Sequence, residues 1–171
     1  MLRRKYKICM LGCYAVGKTS LVRKYIESIY SDDYQTTIGV KIGKKLVMRN
    51  EVEVTLLIWD IAGEDDFHTI RDSYLSGMSG YLLVVDGTRE HTLEVGMNIK
   101  NRVAPAFEDV PFVLLANKKD LVDSWELNRD QLSELEKDAA AFWHTSAKTG
   151  EGVEEAFESL VDTIDLQADR S

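Results

Sequence analysis

The residues with the clearest chemical reach are Gly12-Cys13-Tyr14-Ala15-Val16-Gly17-Lys18-Thr19-Ser20. They fit G-x-x-x-x-G-K-[ST], the pattern of a phosphate-binding loop. Gly12 and Gly17 let the backbone curl and bring its N–H groups onto phosphate oxygens. A helix starting behind them adds the partial positive charge of its N-terminus. Lys18 brings a point charge to the outer phosphates, and Thr19 a hydroxyl to Mg²⁺. A plain glycine turn between strand and helix is the competing reading. On average residue usage, these fixed residue types arise by chance in such a chain about one time in a hundred.

Three further groups have the right types in the right places. Asp60 closes the apolar run Val52 to Trp59, as the second acidic element of a phosphate-loop site does, and would hold Mg²⁺ through water. A turn or helix-cap aspartate is the alternative. Asn117-Lys118-Lys119-Asp120 follows the run Phe112 to Ala116. A carboxylate at Asp120 accepts from N1–H and the exocyclic N2–H₂ of guanine; adenine offers neither donor on that edge and would leave the acid unpaired. Lys118 would lay its methylene stem over the base, and Asn117 would tie neighbouring loops together. Ser146-Ala147-Lys148 follows the run Phe142 to Thr145, with the Ala147 N–H within reach of guanine O6.

The elements that must position these groups are legible as periodicity. Tyr6 to Leu11 reads as a strand and Lys18 to about Ser28 as a helix. Residues 29–37 are polar without period and read as a long loop. Val40 to Arg49 and Val52 to Trp59 read as paired antiparallel strands around Asn50-Glu51. Residues 64–76 carry a weak helical pattern. Tyr81 to Val85 and Phe112 to Ala116 are buried strands, and Phe142 to Thr145 a short one. Leu93 to about Phe107, Asp130 to Ala141 and Val153 to about Leu166 are helices, the first strained by Pro105 at its end. Alternating strands and helices predict an α/β fold: a six-stranded, mostly parallel sheet with one antiparallel edge strand and helices on both faces. Ligands bind outside the carboxyl ends of such strands, and Gly12, Asp60, Asn117 and Ser146 all fall on that edge.

Bulk composition narrows the classes. A chain of 171 residues with 44% apolar and 29% charged residues suits one globular domain, 1–171. A net charge of −8 argues against nonspecific nucleic-acid binding and against a polybasic membrane anchor. The short basic run Arg3-Arg4-Lys5, with Lys7, is read as flanking the first strand. Cys9 and Cys13 lie about 13 Å apart if extended, too far for a disulfide, which suits the reducing cytoplasm. No signal peptide or membrane-spanning apolar run is present, and the last residues, Asp165 to Ser171, hold no cysteine for lipidation. His68, His91 and His144 show no paired arrangement for metal or nucleophilic chemistry. Glu134, Glu136 and Asp138 read as a solvated helix face.

Taken together, these motifs in this order make the chain resemble the Ras superfamily of small GTP-binding proteins from Lys7 to about Leu166. The match rests on the phosphate loop, Thr37, Asp60-Ile61-Ala62-Gly63, Asn117–Asp120 and Ser146–Lys148. The resemblance implies a P-loop G domain that binds GTP or GDP with Mg²⁺ and hydrolyses GTP slowly. Residues 29–40 look like switch I and 60–76 like switch II. Thr37 would bind Mg²⁺ and sense the γ-phosphate, as would the Gly63 N–H. Tyr30 stands where the family sets an aromatic against guanine, and Tyr34 where one covers the phosphates. Tyr14 through Ser20 would line the nucleotide, with Lys18, Thr37, Gly63 and Glu64 the groups around the reacting phosphate. Thr37-Ile38-Gly39-Val40 and Leu57-Ile58-Trp59-Asp60 look Rab-like. Ile42, Trp59 and Tyr74 would then form a patch for an effector, exchange factor or activating protein; ordinary packing explains Trp59 equally well.

Three positions depart from that pattern. Glu64 replaces the usual water-orienting glutamine; a carboxylate accepts hydrogen bonds but donates none, and it brings charge to the γ-phosphate. It can still position water, or act as a base if its pKa rises. Tyr14 stands where glycine or another small residue is usual, close to where an activating protein's arginine would enter. Its phenol can block that entry, cover the nucleotide or point to solvent. Lys41 and Ile42 replace an acid and a phenylalanine. No arginine-bearing insertion is evident near switch I, so unassisted turnover is expected to be slow. A GTP-binding interaction module with negligible hydrolysis, because of Tyr14 and Glu64, is the alternative function.

Overall fold

The structure, a computed structural model, describes residues 1–27, 35–37, 39–62 and 70–171. A single twisted sheet carries the strands β1 (Leu2–Gly12), β2 (Gln35–Thr37), β3 (Val40–Arg49), β4 (Val52–Ile61), β5 (Gly80–Asp86), β6 (Phe112–Asn117) and β7 (Ala141–His144), in the order β2-β3-β4-β1-β5-β6-β7. The helices are α1 (Lys18–Glu27), α2 (Asp72–Leu75), α3 (His91–Val103), α4 (Arg129–Glu136) and α5 (Val153–Ala168). From β4 to β7 the neighbours run parallel, while β3 lies antiparallel to β4.

All six expected strands are present, and the three-residue β2 adds a seventh. It lies in the stretch read as a loop: Thr37 pairs with Val40 across a turn at Gly39, whose φ of +82° suits glycine. Two other expectations need correction. Arg3, Arg4, Lys5 and Lys7 lie inside β1, because parallel pairing runs back to Leu2 opposite Val52. Arg4 is held there by Asp165 on α5 and Asp169 just past its end. The fourth helix ends at Glu136, five residues before the expected end at Ala141. The Ala140 N–H bonds to the Phe112 carbonyl, and Ala141 pairs with Val113. Sheet pairing overrides the helix propensity of the alanines.

Strand alternation builds two cores. Ile8, Met10, Leu82, Val84, Val113 and Leu115 face α1 and α5, where Tyr25 stacks on Phe157 at 3.9 Å. Cys9, Leu11, Leu83, Val85, Leu114 and Ala116 face α3 and α4. Both faces are covered, so the central strands are apolar throughout. Cys9 and Cys13 are buried and form no disulfide with each other. Burial pushes the Cys9 thiol up to about 12, leaving it inert. The β3–β4 hairpin turns through Asn50 and Glu51, both at positive φ, the twist a two-residue hairpin requires.

Candidate functional site

The cleft lies where the strand ends predict it. Tyr14, Ala15, Gly17, Lys18, Thr19, Ser20, Asp60 and Lys118 line a cavity of about 650 Å³, with Gly39 to Lys41 on its far side. Gly17 (φ +103°) passes so close to Asn117 that a Cβ there would come within 2.3 Å of its side-chain nitrogen. Gly12 is equally confined: a Cβ would sit 2.4 Å from the Val84 carbonyl. Both glycines are therefore required by contact as well as by conformation.

At the phosphate-loop end, Lys18 is buried, and its Nζ donates to the carbonyls of Gly12 at 2.8 Å and Cys13 at 2.9 Å. Burial lowers its pKa to about 8, a shift that the Asp60 carboxylate opposes. Thr19 Oγ1 donates to Asp60 Oδ2 at 2.5 Å. Burial raises the Asp60 pKa against that bond and the Lys18 charge. A hydroxyl and a carboxylate side by side are hard oxygen donors that fit Mg²⁺, an ion that takes few protein ligands beside phosphate oxygens. Among the described residues no group of three or more His, Cys, Asp or Glu side chains offers a rival metal site. Thr37 lies on β2, one step from the cleft wall at Val40. Tyr30, Tyr34, Gly63, Glu64 and His68 lie outside the described residues.

At the other end, three loops are tied together. Asn117 is buried; its amide donates to the Val16 carbonyl at 2.9 Å, and its oxygen accepts from Thr145 Oγ1 at 3.1 Å. Lys118 adopts a left-handed backbone (φ +71°) and reaches back to the Ala15 carbonyl at 3.2 Å. Ser146 Oγ donates to Asp120 Oδ1 at 2.7 Å, and Asp120 is exposed. The Lys119 N–H bonds to the Thr145 carbonyl, so the Asn117–Asp120 and Ser146–Lys148 segments meet directly. Ala147 is half-buried beside them and Lys148 exposed.

Sequence reasoning missed Asp86 and Arg89. Asp86 ends β5 opposite Asn117 on β6, and its side chain is fully buried. One oxygen takes the Lys118 ammonium at 2.6 Å and the Arg89 Nε at 2.9 Å. Burial alone would raise its pKa, but the bonds from Lys118, Thr88 and Arg89 together hold it below the ordinary value. A signal was available: an aspartate directly after a buried strand, as at Asp60.

Tyr14 stands 66% exposed at the cleft rim. Ile42, Trp59 and Tyr74 are partly buried over the α3-side core, with Ile42 opposite Trp59 across β3 and β4. Lys7 Nζ lies 3.7 Å from the Trp59 ring centroid. These three residues pack against the core.

The sequence matches the family model for the Ras family over residues 7–166. It is 36% identical over 154 residues to the Ras-related protein Rab-4A of Bos taurus, covering 89% of this chain and 71% of that one. Against the Ras-related protein Rab-7L1 of Rattus norvegicus it is 33% identical over 167 residues, covering 93% and 81%. Against Rab-3C of Bos taurus the figures are 30% over 161 residues, covering 93% and 71%. The phosphate loop, the acid near the end of β4 and the Asn117–Asp120 loop thus stand within a family, and the chain belongs to the Ras family of small GTPases, on its Rab-like side.

Proposed function

We propose that this chain, as one G domain over residues 1–171, is a guanine-nucleotide switch. It binds GTP or GDP with Mg²⁺ and hydrolyses GTP slowly. The observation that supports this reading is the joining of the Asn117–Asp120 segment to the phosphate loop through Asn117 and Lys118. Asp120 selects the base, Lys118 flanks it, and the Ala147 N–H meets its O6. Ser146 and Asn117 hold those groups in place. Lys18 and the N–H groups from Tyr14 to Ser20 carry the phosphates. Mg²⁺, when bound, neutralises phosphate charge, and Thr19, Thr37 and Asp60 (through water) are its ligands.

Thr37 and Gly63 sense the γ-phosphate; loss of that phosphate releases residues 29–40 and 60–76. Tyr30 and Tyr34 cover base and phosphates. Effector, exchange factor and activating protein read these segments and the Ile42, Trp59, Tyr74 patch. No helix among the described residues is long and apolar enough to cross a membrane, and the reading places the protein in the cytoplasm.

Single-turnover GTP hydrolysis tests the reaction. Wild type releases phosphate slowly, and Glu64→Gln and Tyr14→Gly change that rate without abolishing nucleotide binding. A wild type that binds GTP but releases no measurable phosphate would make it an interaction module instead. A protein protected against thermal unfolding by ATP but not GTP would overturn the reading altogether.

A further inference from the structure

Tyr14 and Ala15 form the outer turn of the phosphate loop, and Ala15 is held at φ +59°. That conformation is uncommon for a residue with a side chain and persists where surrounding groups fix it. Two cations do so from outside the loop. Arg89 Nη2 donates to the Tyr14 carbonyl at 2.8 Å, and Lys118 Nζ donates to the Ala15 carbonyl at 3.2 Å. Both are braced on one oxygen of the buried Asp86. Its other oxygen is fixed by the backbone N–H and hydroxyl of Thr88.

The geometry matters because every peptide bond among the described residues is trans. In a trans peptide the C=O and the following N–H point in opposite directions. Pulling the Tyr14 carbonyl toward Arg89 aims the Ala15 N–H the other way, toward the cleft that Tyr14, Ala15 and Gly17 line. A phosphate cradle consists of such inward N–H groups.

We propose that Arg89, braced on Asp86, is a positioning residue that holds the Tyr14 carbonyl outward, pre-setting the phosphate loop and slowing nucleotide release. The proposal rests on the guanine-nucleotide reading above. Lys118 touches both the base side and the loop, so its loss would confound the two; Arg89 touches the loop and its brace Asp86. The contact is to a backbone oxygen, so it does not depend on the Tyr14 side chain.

The test is release of a fluorescent GDP analogue, chased with unlabelled GDP in Mg²⁺, from wild type, Arg89→Ala and Arg89→Lys. Circular dichroism checks that each variant is folded. Arg89→Ala should release nucleotide about tenfold faster, the scale of one charge-assisted hydrogen bond. Arg89→Lys keeps the charge but not the fork that reaches Asp86 and Tyr14 together, and should fall between. The acceleration should persist in a Tyr14→Ala background, whatever that change does alone. A purely structural role would lower the melting temperature without this split in release rates. Release within twofold of wild type in folded Arg89→Ala overturns the proposal, as does an effect that vanishes with the Tyr14 phenol. A wild type that binds no guanine nucleotide sinks the functional reading first and this proposal with it.

Discussion

The two ends of the cleft are satisfied in different ways. At the Asn117–Asp120 end, the polar side chains tie neighbouring loops of the protein together. Asn117 spends its amide on Val16 and Thr145, and Asp120 gives one oxygen to Ser146. At the phosphate-loop end, the groups assigned to the ligand are themselves engaged. Lys18 donates to two carbonyls and Thr19 donates to Asp60. One end is a fixed template, which suits discrimination between bases. On the proposed function, the other exchanges protein partners for ligand oxygens, so its occupancy and its geometry change together. In the switch reading, specificity resides in the first and signalling in the second.

The largest effect that could break this contrast comes from the template end. Asp120→Ala removes the only assigned acceptor for guanine N1–H and N2–H₂, and GTP affinity should fall by at least about a thousandfold. Protection by GTP against thermal unfolding should disappear with it, and ATP should protect no better than before. Asp120 is exposed and loses only the Ser146 bond, so the unliganded protein should stay folded. Calorimetric titration of both nucleotides decides the matter; tight GTP binding by the variant would mean that another group reads the base.

Much of both ends was legible because their groups sit in short motifs at the ends of buried strands. A strand run marks its own carboxyl end, and Gly12, Asp60 and Asn117 each stand there. What could not be read were contacts set by register between strands far apart in sequence. Asp86 meets Lys118 because β5 and β6 pair Asp86 with Asn117. Lys45 looks like a surface lysine in an alternating strand, yet it is buried. Its ammonium lies 3.5 Å from the Tyr25 ring centroid and donates to the Tyr25 carbonyl near the end of α1. Nothing local to either position announces the other.

A middle-sized effect sharpens the exchange end through pH. The Lys18 pKa of about 8 lies below its ordinary 10.5. Between those values the unfolded chain binds more protons than the folded one, so the unliganded protein gains stability from this group as pH rises through the window. Nucleotide binding runs the other way, because phosphates need the protonated ammonium. Affinity should decline as pH rises above about 8, approaching tenfold per unit. Titrations from about pH 7 to 9 should show that slope in wild type and lose it in Lys18→Met, assayed at higher nucleotide concentration. A flat wild-type profile would show that the loop does not desolvate Lys18 as the two carbonyl bonds suggest.

The smallest effect lies behind the template. Trp125 Nε1 donates to the Lys118 carbonyl at 3.1 Å, and its ring stacks on His144 at 5.0 Å. The ring also fills the space beside Gly87, where a Cβ would come within 2.3 Å of it. Trp125→Phe keeps an aromatic ring but removes the N–H donor. The Lys118 carbonyl is not orphaned, because it also accepts from the Leu121 N–H at 2.8 Å. The variant should therefore lose only about 1 kcal/mol of stability by denaturant titration, the net value of one hydrogen bond plus minor repacking. Lys118 keeps its grip on Asp86 and Ala15, so nucleotide release should accelerate by less than about threefold, below the effect of Arg89→Ala. If Trp125→Phe instead released nucleotide faster than Arg89→Ala, the backbone turn at Lys118 would be the weaker support. The template end would then be poised for exchange as the phosphate end is.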